Sequence, residues 1–199
     1  MDFQKILSSR GLNTLMFTDP YAKLCFTAFL TSSFEKTIYI DLDTTFAAYL
    51  QAGMIRTTGM VEVFLPSEGR LVQMIKDSLS SMDNGALVIL DSVNSFYSLF
   101  PTREKTLGNL NHLLSILLML LVKRGSEAGV PVVATSMLRY RQAGGWVQSP
   151  ASRRLLQNKS SVRMKVEIRQ PGNLTLTILA HDSMPAGQEL VLSDGSVTA

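Results

Sequence analysis

The chain has 199 residues, 46% of them apolar and 18% charged, with a net charge of +3. That length suits one domain with a substantial core, and the composition excludes a largely disordered chain. The lone cysteine, Cys25, has no partner for a bridge and lies in an apolar stretch, which fits a buried thiol in a reducing compartment.

Taken in chain order, Leu12 to Phe17 is a short apolar run that predicts a strand, and Tyr21 to Phe34 has helical length and few breakers. Thr37 to Asp41 is β-branched and aromatic and predicts a second strand, followed by a helix from Phe46 to Gln51. Val61 to Leu65 predicts a third strand. Pro66, Ser67 and Glu68 read as a helix start with Ser67 as N-cap, since Leu71, Val72, Ile75 and Leu79 recur at helical spacing. Asp83 to Gly85 predicts a turn, and Ala86 to Leu90 is a continuous apolar run ending at Asp91, as in a strand buried on both faces. Leu107 to Arg124 is the longest predicted helix, and its stretch from Leu113 to Val122 is too short to span a bilayer and reads as buried. Val130 to Ala134 returns to strand. Beyond Ser136 a polar segment containing Gly144 and Gly145 predicts a flexible loop, with a short helix from Ala151 to Gln157. Val162 to Ile168 and Leu174 to Ala180 flank the turn from Gln170 to Asn173 and predict a terminal β-hairpin. The repeated strand-helix alternation implies an α/β fold with a mainly parallel sheet.

Charge is unevenly spread. Between Arg139 and Arg169 eight basic residues face one acidic residue, Glu167, a local charge of +7 that leaves −4 for the rest. Such a segment suits a polyanion or a solvated surface. No basic start, apolar stretch and small-residue cleavage site occur together near the N-terminus, so the expected location is the cytoplasm, or the nucleus in a eukaryote, with no membrane partner. Two histidines, His112 and His181, with one cysteine do not make a structural zinc site, and no Gly-x-Ser-x-Gly elbow is present. His112 reads as a partner-facing or core residue. Asp41 and Asp43 are read as alternating faces on a strand, which separates them for acid/base work.

Four segments together resemble the RecA-like recombinases, especially archaeal RadA and its shorter paralogs. Tyr39 to Phe46 (YIDLDTTF) is similar to the second core strand, where the resemblance puts Asp43 in the place of the residue that activates the attacking water. Gly85 to Ser95 (GALVILDSVNS) is similar to the Walker B strand, with Asp91 as the magnesium-supporting residue. Val130 to Met137 looks like the next strand, which leads into a DNA-binding loop at Arg139 to Val147. His181 to Leu190, with Pro185 and Gly187, resembles the closing turn and strand. The implied fold is a single RecA-like domain over residues 1 to 199, a twisted, mainly parallel sheet flanked by helices with a C-terminal β-hairpin.

The departure lies at the nucleotide loop. A Walker A motif requires terminal glycines, a lysine and a Ser or Thr, so that backbone N–H groups cradle phosphate and a hydroxyl holds magnesium. The matching residues are Phe17 to Leu24 (FTDPYAKL), where Phe17 and Ala22 replace glycines, Pro20 lacks a donor, Asp19 is anionic and Leu24 has no hydroxyl. Only Lys23 persists. The expectation is a pseudo-ATPase without catalytic residues, metal or cofactor, in which Lys23, Asp43 and Asp91 form a vestigial nucleotide site and Lys23 pairs with Asp91 or Asp19. Arg139, Tyr140, Arg141, Trp146, Arg153 and Arg154 are the candidates for nucleic-acid binding, because arginine with aromatics suits backbone tracking and base stacking on single strands. The expected role is an accessory protein of DNA recombination and repair that binds single-stranded DNA or a RecA-like partner, as a homo- or hetero-oligomer. The alternative is a scaffold subunit in a ring, similar to Elongator accessory subunits. A weak ATPase would need Lys23, Asp43 and Asp91 to cooperate.

Overall fold

The computed structural model describes residues 3–67, 70–100, 107–142, 145–148, 156, 160–170 and 173–193. Nine strands form one sheet: β1 Leu12–Phe17, β2 Lys36–Asp41, β3 Met60–Phe64, β4 Ala86–Asp91, β5 Val132–Arg141, β6 Gly145–Gln148, β7 Ser160–Gln170, β8 Asn173–Ala180 and β9 Glu189–Ser193. The helices are α1 Pro20–Ser32, α2 Thr45–Gln51, α3 Leu71–Ser80, α4 Val93–Phe96 and α5 Leu107–Ala128. Strand order is β3-β2-β4-β5-β1-β7-β8-β9, with β6 paired only to β5. Along that order every pairing from β3 to β7 is parallel, while β6, β8 and β9 are antiparallel additions. The terminal hairpin expected from the sequence is therefore part of a three-stranded antiparallel extension.

Central strands are buried along their whole length, without alternation, because both faces are covered. Every residue of β1 and of β4 is buried. On one face Leu15, Phe17, Tyr39, Leu87, Ile89 and Val133 pack with α1 and the N-terminal turn at Phe3. On the other, Ile38, Ile40, Val88, Leu90, Val132 and Ala134 pack beneath α3, α4 and α5. Cys25 is buried in the first layer.

Three expectations need correction. Helix α3 starts at Leu71, not at Pro66, with Arg70 at its cap and no side-chain capping bond. Ser67 instead supplies a carbonyl that accepts the Arg70 N–H at 3.0 Å, ahead of the helix. Helix α5 is not buried all round: Leu114, Leu117, Leu118 and Leu121 face the sheet, but Ile116, Met119 and Leu120 are exposed. Where the segment after Ser136 is described, it is strand and not flexible loop. Strand β5 continues to Arg141 and pairs with β6 in the register Leu138 to Gln148, Arg139 to Val147, Tyr140 to Trp146 and Arg141 to Gly145. Aromatic and aliphatic cross-strand pairs stabilise such a ribbon, and Gly145 takes a positive φ of 66° that a side chain would oppose. The helix expected at Ala151 to Gln157 and the turn at Pro171 and Gly172 lie outside the described residues, apart from Leu156, which is helical and buried.

Candidate functional site

The carboxyl ends of β1, β2, β4 and β5 lie together on one edge of the sheet, the edge at which parallel sheets present loops and helix starts to ligands. Strand β1 reaches α1 through Thr18 and Asp19 alone. The Asp19 carboxylate accepts the Tyr21 N–H at 2.8 Å and caps the helix, and Pro20 at the first helical position has no N–H to give. Asp19 thus occupies donors that an anion at this helix start would use. Leu24, one turn on, is buried.

Lys23 is 2% exposed. Its Nζ donates to Asp91 Oδ2 at 2.6 Å and lies 3.4 Å from Asp43 Oδ2, with the Phe17 ring centroid 5.6 Å away. Burial alone would lower the lysine's proton affinity, but the charges of Asp91 and Asp43 and the hydrogen bond to Asp91 outweigh it and hold the pKa above its ordinary value. Of the two acids expected as partners, Asp91 takes the ammonium and Asp19 serves the helix. The Asp91 carboxylate is satisfied from three sides: Tyr39 Oη donates to Oδ2 at 2.7 Å and Thr135 Oγ1 to Oδ1 at 2.6 Å.

Asp41 and Asp43 come together, contrary to the sequence expectation of opposite faces, since residues two apart in an extended chain share a face, and β2 ends at Asp41. One carboxylate oxygen from each of Asp41, Asp43 and Asp91 falls within 4.8 Å of the others. Asp41 Oδ2 accepts the Ala47 N–H at 2.8 Å, while its buried Oδ1 has no hydrogen-bond partner among the described residues. Burial pushes the Asp41 carboxyl up to about 7, against the downward pull of the Ala47 N–H and with the nearby Asp91 and Asp43 adding to the rise. Burial would also raise Asp43, but Lys23 and the Thr45 N–H hold it below its ordinary range. Near neutrality Asp43 is therefore ionised while Asp41 is shared between its protonated and ionised forms, with an ammonium already placed against the acids.

Tyr39, Asp41 and Thr135 were not among the site residues read from the sequence. The signal for the first two was present, since positions two apart on a strand share a face. Thr135 becomes visible only through the register, where Leu90 lies opposite Ala134 and Asp91 follows.

The nucleic-acid candidates divide. Tyr140 and Trp146 are cross-strand neighbours on the β5–β6 ribbon, 65% and 49% exposed, with ring centroids 5.6 Å apart and planes at 71°. Arg139 is exposed beside them, and Arg141 pairs through its backbone with Gly145. Arg153 and Arg154 lie outside the described residues. Part of the basic segment is neutralised locally: Lys165 lies 2.7 Å from Glu167, and Arg169 makes bonds of 2.7 and 2.6 Å to the two carboxylate oxygens of Glu189. The ribbon joins this edge through β5 itself, where the Met137 N–H is held by Asn94 Oδ1 at 2.7 Å.

No known family matches the chain, and no curated protein does. Among solved structures, the crystal structure of the RadB recombinase superposes with a TM-score of 0.64 at 16% identity, covering 96% of this chain and 92% of that one. The architecture is therefore a RecA-like fold, with helices flanking a mainly parallel sheet and antiparallel strands at the C-terminal end.

Proposed function

We propose that this chain is a non-hydrolysing RecA-fold protein, an accessory of DNA recombination and repair, that binds single-stranded nucleic acid through its β5–β6 ribbon. The observation that carries this reading is the exposed Tyr140–Trp146 pair beside Arg139. Exposed rings at right angles leave a π-face open for an unstacked base, and a cation alongside suits the phosphate backbone. A base locked in a duplex cannot reach such a platform, so the preference is for single strands.

The site at the strand ends supports the loss of hydrolysis. The residues at the β1–α1 turn do not fit a triphosphate: Asp19 caps the helix, Pro20 lacks a donor, and Leu24 offers no oxygen to magnesium. Lys23 neutralises the carboxylates that a metal would need.

The test is fluorescence anisotropy of a labelled single-stranded oligonucleotide at several salt concentrations. Affinity is expected to fall with salt by a slope of about −0.7 per phosphate contacted, because each contact releases a counterion. Arg139→Gln flattens that slope. Trp146→Ala weakens binding by roughly 1–3 kcal/mol and leaves the slope unchanged, since stacking is not ionic. Absence of binding by the native chain at low salt would make the ribbon a protein interface instead, as in the scaffold reading.

A further inference from the structure

From Leu107 to Val122 the sequence contains no Asp, Glu, Lys or Arg. Half of this stretch is explained by the core beneath α5. The other half is not, because Ile116, Met119 and Leu120 stand 37%, 59% and 43% exposed on the outer face, uncovered by any described element. A surface helix ordinarily carries charge there. Val72 of the neighbouring α3, 67% exposed, adds a further apolar group on the same side of the sheet.

We propose that this face pairs with a second copy of the chain, α5 against α5 in antiparallel fashion about a twofold axis. The middle of α5 falls between Leu117 and Leu118, and the exposed apolar residues straddle it. A twofold axis at that point sets Ile116 of one copy against Met119 of the other, so the stripe is complementary to itself, as a closed dimer requires. Charge agrees with this direction. Antiparallel pairing brings the exposed Glu127 to the first turn of the other copy's helix, where the positive end of the helix dipole favours an anion. Parallel pairing would set Glu127 against Glu127 and Lys123 against Lys123.

The area sets the strength. A helix of this length is about 33 Å long and about 10 Å wide, so α5 alone covers roughly 330 Å² on each copy. A standard interface covers about 800 Å² per partner, so Val72 and the outer face of α3 must contribute, and the dimer is weak and concentration-dependent. The proposal does not depend on nucleic-acid binding.

Sedimentation velocity over a hundredfold concentration range tests it. The mass is expected to rise from 21.9 kDa toward twice that value. Met119→Glu is expected to raise the dissociation constant at least tenfold with an unchanged thermal melt, because the position is exposed. The double variant Ile116→Cys with Met119→Cys should form a disulfide-linked dimer when treated with an added copper oxidant, whereas Val191→Cys, exposed on β9, should not. A monomer at every concentration, open-ended oligomers, or a dimer indifferent to Met119→Glu would each overturn the proposal.

Discussion

Lys23 is the residue on which the site is balanced. Its ammonium is buried against Asp91 and Asp43, and no other Lys or Arg lies in the described ion pairs of those acids. Breaking a buried pair by removing one partner leaves an uncompensated charge, so Lys23→Met is expected to destabilise by about 3–5 kcal/mol in urea unfolding. A loss under 1 kcal/mol would mean that water or rearrangement satisfies Asp91 without the lysine. Asp41 gives a different signature. Its pKa rises on folding from 3.8 to about 7, so between these values the folded state holds the proton more tightly than the unfolded chain. Stability contributed by this group is full below pH 4, declines as pH rises, and levels off above about 7. Asp41→Asn, which keeps an acceptor for the Ala47 N–H, should flatten that part of the profile and raise stability at pH 8. An unchanged profile would place the titration elsewhere.

At the scale of elements, the contact between α5 and β5 depends on a glycine. A Cβ on Gly125 would lie 2.7 Å from the Val130 carbonyl oxygen and 2.8 Å from a Val132 methyl, closer than packed atoms approach. Gly125→Ala must shift the last turns of α5 off the sheet, at an expected cost of about 1–3 kcal/mol by thermal or urea unfolding. A neutral result would mean that the helix end already has slack. The β5–β6 ribbon is tolerant by contrast. Its aromatic pair stands outside both cores, so side-chain changes there alter what the surface binds more than how the chain folds.

For the whole molecule, nucleotide is the decisive ligand. In the proposed reading, Asp19 capping α1, Pro20 without an N–H, Lys23 paired to Asp91 and the apolar Leu24 all oppose phosphate and magnesium at the ends of the parallel strands. ATP with magnesium is expected to leave the melting temperature unchanged, whereas ligand at 100 times its dissociation constant would stabilise by about 2.7 kcal/mol. A clear shift that disappears in Lys23→Ala would restore a nucleotide-binding role.

The apolar run from Ala86 to Leu90, set between the turn at Asp83 to Gly85 and Asp91, marks a central strand by itself, because a short strand covered on both faces stays apolar without alternation. The glycine-poor turn at Phe17 to Leu24 likewise reads directly, since glycine, proline and hydroxyl requirements are local. Tertiary structure alone decided the rest. Which acid meets Lys23 depends on β2 and β4 lying side by side, with Asp41 opposite Asp91. Whether Arg139 to Val147 is loop or ribbon depends on pairing across a turn, and polar composition conceals it. Whether Leu113 to Val122 is wholly buried depends on what covers the outside of α5, which an all-apolar run cannot report because it lacks a polar face to mark solvent.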